Sequence, residues 1–292
     1  MTIQNLRYFK AVADHKNFTR AAQELFVSQP SLSHAIKELE KEFGVQLTIR
    51  KSHGLELTKQ GEQFLEFVTN YLQYTDYVER SLHALAPEHR KLRIGMPPML
   101  SVTFYGDWVR EIQNKIGEIE FQLVVGGSNY LRSSLRNREL DCAIIPWDDH
   151  PSDRYVSIPL RTERYVCCMA KNHPLASRET LSVRDLVYEP VAILDKSFQN
   201  NDFTRRMFAM YNAKPNVVLE TNQYFSVREM VAAGLAISFT FQSYVDVDRE
   251  RLVGIPLEEV TRDQTICFVT QKSRFPLEPI QAILNYYQVQ ES

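Results

Sequence analysis

The sequence predicts an α+β chain of several domains: a small helical domain closed by a β-hairpin, one long helix, and a two-lobed α/β unit. Three observations predict it. Residues 1–58 carry apolar positions at helical spacing and then a short alternating hairpin. Residues 59–87 repeat apolar side chains in heptads, and from residue 88 onward strand-like runs alternate with helix-like ones. At 292 residues the chain is long enough for two or three domains. It has no apolar run of about 18 residues and no signal peptide, which disfavours membrane and secreted readings and points to the cytoplasm.

In the first element Leu6, Phe9, Val12 and Ala13 give a helix one apolar face. Thr19 is a candidate cap for a short second helix, 20–25, whose adjacent Ala21 and Ala22 allow close helix approach. Ser28 caps a third helix and Pro30 fits its first turn, where no intrahelical N–H bond is needed. Leu32, Ile36, Leu39 and Phe43 form its buried stripe. Gln29, Ser31, Ser33, His34 and Lys37 fall largely off that stripe, and short polar and cationic groups there suit major-groove recognition. Residues 18–37 thus read as a helix-turn-helix, against the plainer alternative of two amphipathic helices in a bundle. The following QLTIRKSHGLELT forms two alternating segments turning at Ser52, His53 and Gly54, a winged hairpin. At its tip Arg50, Lys51 and His53 suit phosphate or minor-groove contact, if they are more than a solvated basic turn.

Charge agrees with a DNA footprint. Residues 1–61 hold nine Lys/Arg against six Asp/Glu, although the whole chain carries net charge −2. The excess is modest, so tight binding needs more than one copy of the domain. Lys59 to Ala86 supplies the means. It contains no proline, and Phe64, Val68, Tyr71, Thr75, Val78, Leu82 and Leu85 recur at heptad spacing. A linker helix of roughly 40 Å pairing with a second subunit is expected, dimerising through Phe64, Val68, Tyr71, Val78, Leu82 and Leu85. Packing of this helix along its own domain is the alternative. Two recognition helices about 34 Å apart would then read a pseudo-palindromic operator.

Beyond residue 88 the order is strand LRIGM, a helix from Ser101 to Lys115, strand 121–125, helix 130–138 and strand 142–145. A second block starts at Tyr165 and runs through VAILD, a helix 201–211, VVLE, a helix 226–233 and AISFTF. Strand TICFVT and a helix 279–289 close the chain. Such alternation argues for mostly parallel sheets covered by helices.

These features together resemble the LysR-type transcriptional regulators. The run LRYFKAVADHKNFTRAAQELFVSQPSLSHAIKELEKEFGVQL, then GLELTKQG, carries the resemblance at the amino end. RIG at 93–95, LRSSLRNRELD at 131–141, PLRTE at 159–163, NHPLA at 172–176 and MVAAGLAI at 230–237 carry it through the rest. Five departures stand out. Thr48 follows Leu47 where the family usually has Phe, Met99 stands near a usual Ser or Thr, Arg138 replaces a glycine, Ala236 replaces the second glycine of GLG, and the proline common after that strand is replaced near Phe241. The last four suggest a tighter or more apolar cleft.

The resemblance implies a winged helix-turn-helix domain (1–58), a linker helix (59–87) and an effector domain (88–292) similar to periplasmic solute-binding proteins. Lobe I would comprise about 92–163 with 265–292, and lobe II about 164–264. It also implies a homodimer assembling to a homotetramer, and RNA polymerase as a partner. An effector would lie between the lobes, beyond strand ends and at helix N-termini. The candidates are Met99, Leu100, Ser101, Ser128, Asn129, Ser197, Phe198, Phe203, Gln223 and Tyr224. Ser128 matches a position the family often turns toward its ligand. Capping, turn and core roles compete at each of these positions. Arg205 and Arg228 are possible anion partners, so an organic acid is conceivable.

Enzyme readings find little support: GxSxG, HExxH, GxxxxGK[ST] and a GxGxxG after a strand are all missing from the sequence. Asp148-Asp149-His150 is a solvated loop rather than a metal site, and Glu163 and Arg164 are charges at a crossover between lobes. Cys142, Cys167, Cys168 and Cys267 lack CxxC spacing, which argues for reduced thiols over zinc or disulfides. No cofactor is expected. The leading reading is a ligand-responsive, sequence-specific DNA-binding regulator. The alternative is a solute-binding or enzymatic α/β domain whose amino-terminal helices mediate assembly.

Overall fold

Thr2 opens the first helix, its hydroxyl accepting from Asn5 N–H at 3.2 Å. The computed structural model describes residues 1–51, 54–83, 91–147, 153–274 and 276–290. Helix α1 (Ile3–His15) ends at Lys16, whose left-handed backbone turns the chain. Helix α2 (Phe18–Glu24) is capped by Asn17, not Thr19: the Asn17 Oδ1 accepts from both Thr19 and Arg20 N–H. Asn17 wins because it stands one residue before the first helical position, where its carbonyl faces the two orphan donors. Helix α3 (Gln29–Phe43) has Ser28 as its cap and Pro30 in its first turn, and Gly44 (φ +66°) ends it.

Leu6, Phe9, Val12, Ala21, Ala22, Leu32, Ile36 and Leu39 close one core. Phe43 does not join it as the stripe predicted. It is 45% exposed, because it is the last residue of the helix, and its ring meets Phe64, 5.5 Å between centroids. Strands β1 (Thr48–Lys51) and β2 (Gly54–Leu57) pair antiparallel with Thr48 opposite Leu57, as expected of the wing. Leu55 N–H donates to the Lys16 carbonyl, fastening the hairpin to the end of α1.

Helix α4 (Lys59–His83) begins where Thr58 caps it through Gly61 N–H at 2.8 Å. Its first three turns belong to the domain they follow. Phe64, Leu65, Val68 and Leu72 pack on the α1–α3 core, and Phe64 meets Phe9 edge-on at 5.0 Å. Two of the heptad positions, Phe64 and Val68, are therefore spent inside this domain. Phe67, Tyr71, Tyr74, Val78 and Leu82 form a second apolar stripe that is exposed, Phe67 at 71%. Leu85 lies outside the described residues.

The chain divides into two units, Met1–Leu82 and His83–Ser292. In the second, strands β3 (Lys91–Met96), β4 (Glu120–Val125), β5 (Cys142–Pro146), β6 (Tyr155–Glu163) and β12 (Gln264–Gln271) form one sheet, ordered β4-β3-β5-β12-β6. The ladders among β4, β3 and β5 are parallel, and β12 runs antiparallel to both neighbours. The other lobe holds β7 (Tyr165–Ala170), β8 (Pro190–Leu194), β9 (Asn216–Thr221), β10 (Ser238–Phe241) and β11 (Leu252–Pro256). Here β10-β7-β11 is antiparallel and β8-β9 parallel. The expectation of mostly parallel sheets is thus corrected to mixed ones. The chain crosses between lobes twice, and the returning strands enter against the direction of the βαβ units.

Helices α5 (Pro98–Thr103) and α6 (Tyr105–Ile116) replace the single helix expected, broken where Phe104 leaves helical geometry at φ −136°. Helix α7 (Ser128–Arg136) follows β4, α8 (Gln199–Ala209) follows β8, and α9 (Tyr224–Ala232) follows β9. A short helix, α10 (Gln242–Val245), follows β10, and α11 (Glu278–Gln290) ends the chain. Trp108 anchors α6 beneath α11: it is buried, lies 5.3 Å from Phe121, and its indole N–H donates to the Tyr287 hydroxyl at 3.0 Å.

Candidate functional site

On α3 the apolar face is fully committed to the core, so the opposite face is the one left to meet a partner. Pro30, Ser31, His34 and Lys37 are exposed there, while Gln29 and Ser33 are half-buried beside them. Their spacing follows from helical periodicity: positions 30, 34 and 37 share a stripe, as do 29, 33 and 37. Ser31 is partly engaged, its hydroxyl 2.7 Å from that of Ser28 in the cap. His34 Nδ1 lies 3.9 Å from Glu38, close enough for electrostatic pairing when the ring is protonated. Arg50 and Lys51 stand at the end of β1, beside the hairpin tip; His53 lies outside the described residues. Sequence reasoning passed over Phe26 in the turn, which is 95% exposed with φ +53°. Gly or Asn is the usual signal for such a backbone, and Phe gives none.

The second site is a cleft between the lobes of the α/β unit. Met99, Ser128, Phe198 and Tyr224 line it, joined by Tyr165 and Phe241 at strand ends of the second lobe. The lobes stand close, leaving a cavity of about 20 Å³, room for one water molecule. Gly127 explains the closeness, since a Cβ there would lie 2.1 Å from the Ser197 carbonyl oxygen. That oxygen accepts from Asn129 N–H at 3.1 Å, so the α7 N-terminus of one lobe is capped by a carbonyl of the other. The Tyr224 hydroxyl lies 3.0 Å from that of Thr240, which in turn donates to the Met99 sulfur at 2.9 Å, a second tie across the cleft.

Six of the candidates do not line this cavity. Leu100 is core, and the Ser101 hydroxyl donates to the Pro98 carbonyl within its own turn. Phe203 stacks on Tyr165, ring centroids 4.3 Å apart, behind the cavity wall. Ser197 has its hydroxyl and N–H both held by Asp195, and its carbonyl accepts from α7. Gln223 is exposed and turned to Asn222, and Asn129 lies on the outer rim. The sequence missed Tyr165, Leu194, Asn200 and Phe241 because strand ends and a buried amide look like core until the lobes are seen together. Asn200 donates its amide to the Phe239 carbonyl.

The electrostatics favour binding over catalysis. Burial pushes the Tyr224 phenol above its ordinary range, with Tyr244 adding to the shift, and burial likewise raises Tyr165. Both stay neutral donors. All four cysteines are buried and unbridged. Burial raises the Cys142 and Cys167 thiols well above normal and brings Cys168 to about 12, the opposite of a reactive thiolate. Glu163 at the crossover is buried and paired with Arg161 while accepting from Ser243, and Arg164 donates to Asp263 at 3.0 Å. These are structural ion pairs. The Asp148-Asp149-His150 loop lies outside the described residues. Among the described residues no helix is long and apolar enough to cross a membrane.

Two family models match the chain, one for each part. The model for the bacterial regulatory helix-turn-helix protein of the lysR family matches residues 3–62, and that for the LysR substrate binding domain matches residues 86–290. The HTH-type transcriptional regulator AlsR of Bacillus subtilis is 30% identical over 246 residues, 82% of this chain and 80% of that protein. The transcriptional dual regulator GltC of the same organism is 27% identical over 94% of this chain and 92% of its own length. Among solved structures, full-length CbnR complexed with its target DNA superimposes with TM-score 0.69 at 18% identity, covering 99% of each chain. An OxyR of Corynebacterium glutamicum aligns with TM-score 0.57 at 25% identity, over 99% of this chain and 92% of that one. The family is one of transcriptional regulators rather than enzymes. With a helix-turn-helix DNA-binding domain at its amino end and an effector-binding domain behind it, this chain belongs to the LysR family of transcriptional regulators.

Proposed function

We propose that the regulator reads a pseudo-palindromic operator as a dimer, with Gln29, Ser33 and His34 toward bases and Lys37, Arg50, Lys51 and His53 toward phosphate or the adjacent minor groove. Pro30 and Ser31 shape the leading turn. The observation that carries this reading is the partition of α3, with Leu32, Ile36 and Leu39 buried and the opposite face polar and open.

Subunits pair along α4 through its exposed stripe. Phe67, Tyr71, Tyr74, Val78 and Leu82 take over the role that the heptad pattern gave partly to Phe64 and Val68, which are occupied within the domain. Dimers join into a tetramer and act on RNA polymerase in the cytoplasm. A small-molecule effector enters between Met99, Ser128, Phe198 and Tyr224, and because the lobes are tied by Asn129 and Ser197 it must part them to do so. Only an effector with unequal affinity for the two arrangements shifts the DNA-binding pairs.

Salt-dependent binding to a short palindromic duplex tests the first part. Changing Gln29, Ser33 and Arg50 together to Ala should abolish preference for the palindrome. Binding indifferent to these changes would favour the alternative in which the amino-terminal helices mediate assembly only. For the cleft, Ser128→Trp should remove the effector response and leave operator affinity within about threefold, a difference under about 1 kcal/mol.

A further inference from the structure

The cavity between the lobes is poorly suited to a charged ligand. No Lys, Arg, His, Asp or Glu stands among the described residues that line it. Its wall is mostly apolar, with Met99, Leu194, Phe198 and Phe241 beside the rings of Tyr165 and Tyr224. The cations an organic acid would need stand elsewhere. Arg205 lies on the outer rim, bonded to Glu220 at 3.0 Å, and Arg228 pairs with Glu229 at 2.8 Å. Burial raises the Tyr165 and Tyr224 phenols, and the same dry surroundings penalise a ligand carboxylate that meets no cation.

The hydrogen bonds point to a ligand that donates. Asn200 gives its amide to the Phe239 carbonyl, and Thr240 gives its hydroxyl proton to the Met99 sulfur, which leaves Tyr224 donating to Thr240. At the α7 N-terminus the Asn129 N–H is committed to the Ser197 carbonyl, and at α5 Pro97 and Pro98 carry no N–H. A carboxylate, which only accepts, therefore finds few donors. What is left over is an acceptor. Gln199 lines the cavity, and its Oε1 is buried with no hydrogen-bond partner, a costly state that a ligand N–H or O–H would relieve. The side chain also reaches the outer rim, but that rim is open, so an oxygen sealed from solvent faces inward.

We infer that this cleft takes an uncharged, flat, mostly apolar molecule with one donor group, such as an aromatic amide or a phenol, which donates to Gln199 Oε1 and packs among Phe198, Phe241 and Tyr224. The Ser128 and Tyr165 hydroxyls, which can give as well as take, serve the ligand's own oxygen. Admitting it parts the lobes and frees the Asn129 N–H together with the Ser197 carbonyl, a donor beside an acceptor, which again suits a neutral group. The inference rests on the effector reading above and narrows its ligand class: the organic acid conceivable from the sequence is the class this site disfavours.

Calorimetric titration of the full-length protein with benzamide, phenol, acetophenone and benzoate tests it. Benzamide and benzoate share a shape and differ in charge, while acetophenone has a methyl group where benzamide has its donor. Saturable binding of benzamide or phenol, at least about tenfold tighter than benzoate, is expected. Gln199→Leu should cut the advantage of benzamide over acetophenone about fivefold or more. Without ligand the same variant loses an unpaired buried acceptor, so its Tm should hold or rise; a lowered Tm would show the oxygen bonded and overturns the inference. Benzoate binding as tightly as benzamide, an unchanged advantage in Gln199→Leu, or no saturable heat from benzamide or phenol up to about 20 mM also overturns it. Ser128→Trp separates the two readings. Benzoate binding that it abolishes overturns the ligand class alone, whereas binding of any probe that it leaves intact overturns the cleft reading and this inference with it.

Discussion

Glu40 and Thr48 lock the wing to the recognition helix. One carboxylate oxygen of Glu40, Oε1, accepts from Leu47 N–H at 2.8 Å, Thr48 N–H at 3.0 Å and the Thr48 hydroxyl at 3.2 Å. Thr48 stands where the family usually has a phenylalanine, so a polar anchor takes the place of an apolar one. That carboxylate ties the start of the wing to α3.

Glu40→Ala should therefore cost about 2 kcal/mol, because it strands two half-buried amide donors as well as removing a charged acceptor. Glu40→Gln keeps an acceptor oxygen and should lose about half as much. Thermal melts give the stability order. Operator affinity should fall further than the melts require, since the hairpin loses its orientation; equal affinity in wild type and Glu40→Ala would separate the wing from recognition.

Gly61 marks the next contact along the chain. A Cβ at this helical glycine would sit 2.1 Å from the Leu47 carbonyl oxygen, with the Leu57 Cβ 3.3 Å away, so the fixed Leu47 backbone leaves it little room. Gly61→Ala is expected to destabilise by about 1–3 kcal/mol despite the better helix propensity of alanine. Gly106→Ala is the control. It has no atom within 4 Å of the added methyl and should stabilise by up to about 1 kcal/mol. The two variants, compared by urea melts, should move in opposite directions.

The amino-terminal domain was legible because its signals are local. Ser28, Pro30 and Gly44 mark helix ends by their own chemistry, and Leu32, Ile36 and Leu39 repeat at helical spacing. Thr19 was expected as the α2 cap and Asn17 holds that place, because both residue types cap helices and the type alone does not fix which stands before the first turn. The linker's heptads were also read from spacing, but spacing does not say which neighbour a stripe meets; Phe64 and Val68 meet their own domain. Strand β6, with proline and charges in YVSIPLRTE, carries no alternation strong enough to announce a strand and is ordered by its ladder to β12. The cleft was legible as helix N-termini after strands. Tyr165 and Phe241 escaped because an aromatic at a buried strand end reads as core, and only the opposing lobe makes it a wall.

Arg138 shows a family glycine's backbone retained without the glycine. Its φ is +58°, in the left-handed region that costs a side-chain-bearing residue about 1–2 kcal/mol. The turn persists because its carbonyl accepts from Arg93 Nη2 at 2.6 Å while Arg93 N–H donates to Asp141 at 2.7 Å. Those bonds depend on backbone and partners other than the Arg138 side chain. Arg138→Gly should relieve the strain, partly offset by the freer unfolded chain, for a net gain of up to about 1 kcal/mol and a small rise in Tm. A lower Tm in scanning calorimetry would mean the Arg138 side chain contributes more than its backbone costs.

The thiols give a prediction with a pH signature. Cys168 is raised to about 12 from an ordinary value of 9.0, by burial first and by Asp248 second. A raised folded value means the native state keeps its proton where the unfolded chain has lost it. The resulting stabilisation is present in full below pH 9 and is lost as pH rises toward 12, with Cys142 and Cys167 shifting the same way. Between those limits stability should fall with pH, in part from these thiols, and Cys168→Ser should flatten that fall. All four thiols are buried, and burial holds Cys142, Cys167 and Cys168 protonated at neutral pH, so an aromatic disulfide reagent should label none in the folded protein within minutes and four after denaturation. Rapid labelling of one thiol in the native state would show a reactive cysteine, and would reopen for this regulator the redox sensing that burial argues against.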